Sequence, residues 1–209
     1  MNPREYYIYN IPVFVHGEQQ PGVDIPEFCS TIQEMLPRNI MKNVDVCYIM
    51  EDPILDGRAA TYADGAIYMD INEPTNDDLI ENFVHEVAHA AEVSYPHFIY
   101  DNRLIAEFKG KRRKLYHLLK AEGYDQMPLR MYEFSEYTRK FDDFLATTVG
   151  YPTLLTLTMG LFCSPYGATS VQEYFANGFE KYFTESPEYV RNVSPVVYRK
   201  IIEILDDND

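Results

Sequence analysis

Two histidines four residues apart, with a glutamate directly after the first, are the side chains in this sequence best placed to do chemistry. In His85-Glu86-Val87-Ala88-His89 the i, i+4 spacing of a helix stacks both imidazoles on one face, so both can aim at one divalent cation. Glu86 can then address a water on that cation without coordinating it. With 5 His in 209 residues, such a pattern arises by chance in roughly one sequence per hundred. Two histidines leave a metal site one protein ligand short. His97 follows too closely and lacks a glycine turn, His16 falls in a turn and His117 on a basic helix, so a carboxylate is the better third ligand. Glu173 in Ser170-Val171-Gln172-Glu173-Tyr174-Phe175-Ala176-Asn177 opens an aromatic-rich helix whose face can be buried. Asn177, one turn on, shares that face and is placed to hydrogen-bond a ligand histidine.

The elements that must hold these residues are readable around them. Thr75-Asn76-Asp77-Asp78 after Pro74 is a helix start, with Thr75 as cap, Asp78 at the reciprocal position and both aspartates at the positive end of the helix dipole. The helix runs to about Val93, and its apolar positions wrap most of the circumference, which makes it central and buried. Ahead of it, Tyr6 to Val15, Val44 to Met50, Arg58 to Tyr62 and Ala66 to Ile71 read as strands, with a helix from Pro26 to Leu36 stopped by Pro37. Ala63-Asp64-Gly65 is a hairpin turn. Helices are expected after it at 101–123, about 129–148, 169–184 and 195–205. The fold class is therefore α+β: a small mixed sheet of about four strands on a buried helix, then a mainly helical C-terminal half. Residues 1–209 read as one domain with a helical insertion at about 100–160.

Charge narrows the partners. Lys+Arg total 18 against Asp+Glu 33, a formal balance of −15, which disfavours nucleic-acid backbones and favours basic peptides or cations. Residues 103–120 run the other way, with a local balance of +6 that leaves −21 elsewhere. Such a run is a solvated face, or else a docking surface for an acidic partner or for the chain's own acidic body. Three scattered cysteines, Cys29, Cys47 and Cys163, make no metal knuckle or disulfide framework and read as buried thiols. The first residues hold no apolar signal core, so a reducing cytoplasm is expected. Phe144 to Cys163 is twenty residues without a charge, long enough to span a bilayer. Its five threonines and the Gly150-Tyr151-Pro152 break argue for a buried helix pair instead, with no membrane partner.

His85-Glu86-Val87-Ala88-His89 followed by Glu173-Tyr174-Phe175-Ala176 resembles the gluzincin metallopeptidases, most of all the branch of the anthrax lethal factor catalytic domain and the Pro-Pro endopeptidases. The resemblance implies one Zn²⁺ held by His85, His89 and Glu173, with Glu86 as general base. It also implies an oxyanion-stabilising tyrosine seven residues before the glutamate ligand, the offset at which Tyr166 stands. Ala66-Ile67-Tyr68 resembles the edge strand that pairs with extended substrate in that family. The 83 residues between His89 and Glu173 and the asparagine at 177, where relatives carry an acid, depart from the pattern. The expected function is zinc-dependent hydrolysis of peptide bonds. The alternatives are a catalytically silent module of the same build that binds peptide or a partner protein, and a membrane-embedded peptidase resting on the uncharged stretch.

Overall fold

Short runs of β-branched and aromatic residues between turn-forming ones build the sheet. The computed structural model describes residues 3–207, which form two compact units, one of residues up to 95 together with 203 onward, the other of residues 96–202.

The first unit carries five strands, β1 (Arg4–Ile8), β2 (Ile11–Val15), β3 (Val46–Ile49), β4 (Ala60–Ala63) and β5 (Ala66–Met69), in the order β1-β2-β3-β5-β4. β2, β3 and β5 run parallel, while β1 and β4 close the two edges antiparallel. The sequence reads as four strands because Tyr6 to Val15 looks continuous. The chain instead folds there into a hairpin, with Tyr9 in a left-handed conformation at φ 54°. Gln33 and Leu36 hold that turn: Tyr9 donates its backbone N–H to Gln33 Oε1 (2.6 Å) and its hydroxyl to the carbonyls of Gln33 (2.7 Å) and Leu36 (3.0 Å). At the other hairpin, Asp64 (φ 48°) and Gly65 (φ 85°) both take positive φ, the geometry that matches strand twist in a two-residue turn.

Alternation decides the faces. Ile11, Val13 and Val15 are buried while Pro12 and Phe14 are half-buried, and the half-buried side carries a ladder of Phe14, Tyr48 and Tyr68 with ring centroids 5.8 and 5.3 Å apart. Helices α1 (Ile25–Met35) and α2 (Asn76–Ser94) cover the unit's core; Phe28 and Phe83 meet edge to face at 5.7 Å, and each fully buried ring contributes about 2–3 kcal/mol. Thr75 caps α2 as expected, its hydroxyl accepting from the Asp78 N–H at 3.2 Å.

The second unit is helical: α3 (Pro96–Ile99), α4 (Asn102–Ala121), α5 (Leu129–Tyr132), α6 (Arg139–Asp143), α7 (Tyr151–Thr158), α8 (Val171–Thr184), α9 (Pro187–Val193) and α10 (Pro195–Asp206), which continues past residue 202. The insertion expected at about 100–160 falls inside this unit. The basic run of α4 divides. Lys111 and Arg112 point inward, 8% and 1% exposed. Lys111 Nζ donates to the Val193 carbonyl (2.6 Å) and Ser194 Oγ (3.0 Å), and burial lowers its pKa to about 8. The Arg112 guanidinium lies 3.8 Å over the Phe141 ring and donates to the carbonyls of Met131 (2.6 Å) and Thr169 (3.2 Å); burial lowers its pKa to about 10. Two of the seven cations thus satisfy interior carbonyls.

The uncharged stretch forms a π-helical turn at Phe144–Gly150 and then α7, eight residues long, divided where Gly150 takes φ 83°. Among the described residues no helix is long and apolar enough to cross a membrane. The expected burial is partial, since Tyr151, Leu155 and Met159 lie exposed. All three cysteines are free thiols; Cys29 and Cys47 are buried and Cys163 half-buried.

At Gly178 the backbone of α8 comes close to Val197 on α10. A Cβ there would stand 2.6 Å from Val197 Cγ1, well inside contact distance, in a core that leaves little room to yield. Gly178→Ala is expected to destabilise the protein by about 1–3 kcal/mol. In denaturant unfolding, adding Val197→Ala should recover part of that loss, measured as coupling in the double-mutant cycle.

Candidate metal centre

The helix α2 presents His85 and His89 half-buried on one face, ring centroids 5.0 Å apart. Between them in sequence, Glu86 is 7% exposed and turns toward the sheet, where its Oε2 accepts the backbone N–H of Tyr62 at 2.7 Å. Tyr62 lies on β4, which is an edge strand. Ala59 and Asp70 are bonded across the hairpin, so alternation leaves Ala60 and Tyr62 with their backbone groups directed outward. The Tyr62 amide is therefore an outward donor taken by the glutamate. Ala66, Ile67 and Tyr68, expected at the edge, belong instead to β5, which is paired on both sides, with β3 and with β4. The hairpin after β5's partner folds back and makes β4 the edge.

His89 has a partner that the motif does not include. Its Nδ1 lies 3.0 Å from Glu92 Oε1, with the side chains 21% and 18% exposed. A carboxylate on one ring nitrogen holds the proton there and directs the other nitrogen's lone pair away from it. The signal was present in the sequence as i, i+3 spacing on the same helix.

Glu173 sits in the first turn of α8. The Ser170 hydroxyl, buried, accepts its backbone N–H at 3.1 Å, a cap that fixes the turn and the carboxylate's starting point. Tyr166 lies just before, in a single 3₁₀ turn (Tyr166–Ala168). Its carbonyl receives both the N–H (2.9 Å) and the hydroxyl (2.8 Å) of Thr169, and the Thr169 carbonyl is the one held by Arg112. Burial, and after it the charge of Glu173, raises the Tyr166 pKa, so the phenol stays protonated and able to donate at neutral pH. Asn177 Oδ1 accepts from the Ser164 hydroxyl and its Nδ2 donates to the Glu173 carbonyl at 2.9 Å. The amide, 4% exposed, thereby ties the 164–167 turn to α8.

One ligand atom from each of His85, His89 and Glu173 lies within 4.8 Å of the other two, and all three residues are half-buried, a group that could hold a metal ion. Two imidazoles and a carboxylate suit a divalent transition metal. His16, His97 and His117 are exposed and stand outside the group. No family model matches the chain, nor does any curated protein or solved structure.

Glu92→Gln is expected to weaken metal binding about 10–100-fold while leaving the thermal unfolding of the metal-free chain nearly unchanged. Chelator competition on the purified variant measures it.

Proposed function

We propose that this chain is a zinc-dependent metalloendopeptidase of the gluzincin type. The observation that carries the reading is the approach of His85, His89 and Glu173 to within one ion's reach, with the buried Glu86 on the same helix. His85, His89 and Glu173 would hold Zn²⁺, a set of two imidazoles and a carboxylate as in catalytic rather than structural zinc sites. Zinc so held lowers the pKa of water from 15.7 to roughly 7 and polarises a carbonyl.

The remaining work belongs to the chain's own residues. Glu86 acts as general base: it takes a proton from the attacking water as the water oxygen bonds the scissile carbonyl carbon. It then delivers that proton to the amine nitrogen as the C–N bond breaks. The Tyr62 N–H on Oε2 fixes the carboxylate's rotation. The Tyr166 phenol donates to the oxyanion of the tetrahedral intermediate, a contact worth about 10²–10³ in rate for one donor. Extended substrate pairs with the outward backbone groups of Ala60 and the Tyr62 carbonyl on β4, adding a strand to the sheet edge. The formal charge of −15 favours basic over acidic peptides by steering.

Peptide-library turnover on the purified chain tests this. One zinc per chain and hydrolysis that is lost to chelator and restored by Zn²⁺ are expected. Glu86→Gln should keep zinc and lower kcat by about 10²–10⁴. Wild-type protein that binds zinc and cuts nothing would leave a binding module; unaltered turnover in Glu86→Gln would end the mechanism. Tyr166→Phe should keep both zinc and KM while lowering kcat by about 10²–10³.

A further inference from the structure

The exposed side of α4 and the end of α7 enclose a groove that the metal reading does not use. Its volume is about 430 Å³, and Leu118, Leu157, Met159 and Leu161 supply its apolar lining, with Lys114 and His117 at its rim. Lys114, His117 and Leu118 stand at i, i+3 and i+4, so they share one face of α4. The opposite wall is the turn where α7 ends and Gly160 takes φ 67°. Leu118 is 40% exposed and Met159 81%. Exposed apolar side chains that line a groove mark an interaction site, and a methionine among them adapts to different partners' side chains.

Charge selects the occupant. Of the cations clustered at the middle of α4, Lys111 and Arg112 are buried and Arg113 pairs with Glu133 at 2.6 Å. Lys114, exposed at the groove, has no ion-pair partner among the described residues. It stands unneutralised in a chain with 33 acidic residues. The open groove takes about two aliphatic side chains, and its helical wall matches anchors repeated every three or four residues. We propose that this groove docks an acidic amphipathic helix of a partner protein, its aliphatic anchors seated on Leu118 and Met159 and a carboxylate facing Lys114. The proposal does not rest on the metal reading.

The test uses the full chain and a labelled synthetic helix of about 20 residues, with leucine on one face and glutamate flanking it. Fluorescence anisotropy should show saturable binding that weakens with salt. Binding should fall about tenfold or more in Met159→Asp and in Lys114→Glu, with thermal unfolding of both variants unchanged because both side chains are exposed. A peptide with lysine in place of glutamate should bind wild type poorly and Lys114→Glu better. Equal binding of the two peptides, or binding indifferent to Met159→Asp, overturns the proposal. So does finding no peptide binding but Met159-dependent capture by phosphatidylserine vesicles, which would assign the surface to lipid. Concentration-dependent dimerisation of the peptide-free chain that Met159→Asp abolishes would assign the groove to a second copy and equally overturn it.

Discussion

Two imidazoles one helical turn apart can serve one cation only while the helix beneath them keeps its register. A turn of α-helix rises about 5.4 Å, so slippage or fraying of even part of a turn would separate the rings from their shared target. Everything around α2 resists that. Thr75 closes its first turn, Phe83, Val84, Val87 and Ala88 are without exposure on its inner side, and the Glu86–Tyr62 bond ties its middle to the sheet. The two histidines thus stand on a helix that is capped, buried along its inner side and tied to the sheet.

The capped helix, its two histidines and the distant glutamate were legible because each writes a local pattern: a cap three residues before an acid, a four-residue spacing, a glutamate opening an aromatic-rich helix. The missing strand was not, because the residue in the left-handed turn is Tyr9, a strand former by composition. Its conformation is held by Gln33 and Leu36, partners more than twenty residues away. Strand order was hidden for the same reason. Nothing in Ala66-Ile67-Tyr68 tells a paired strand from an edge, since both neighbours are set by topology.

The basic run and Asn177 teach a related lesson about polar residues. Composition counts Lys111 and Arg112 as surface charge, yet the folded chain uses them as interior donors to carbonyls left open at the end of α9, near Thr169 and at Met131. Asn177 likewise bonds Ser164 and a backbone carbonyl. A buried polar group is committed to whichever unsatisfied atom lies nearest, and that atom is fixed by packing rather than by spacing along the chain.

The bond from Tyr62 to Glu86 also bears on how this sheet keeps to itself. Open edges invite ladder growth with neighbouring molecules. β4 is only four residues long, and one of its outward amides is already engaged by a side chain of its own fold. A strand arriving there finds the Ala60 groups and the Tyr62 carbonyl but not the Tyr62 amide, so a short peptide can pair while a long ladder between neighbouring molecules has too little to grow on.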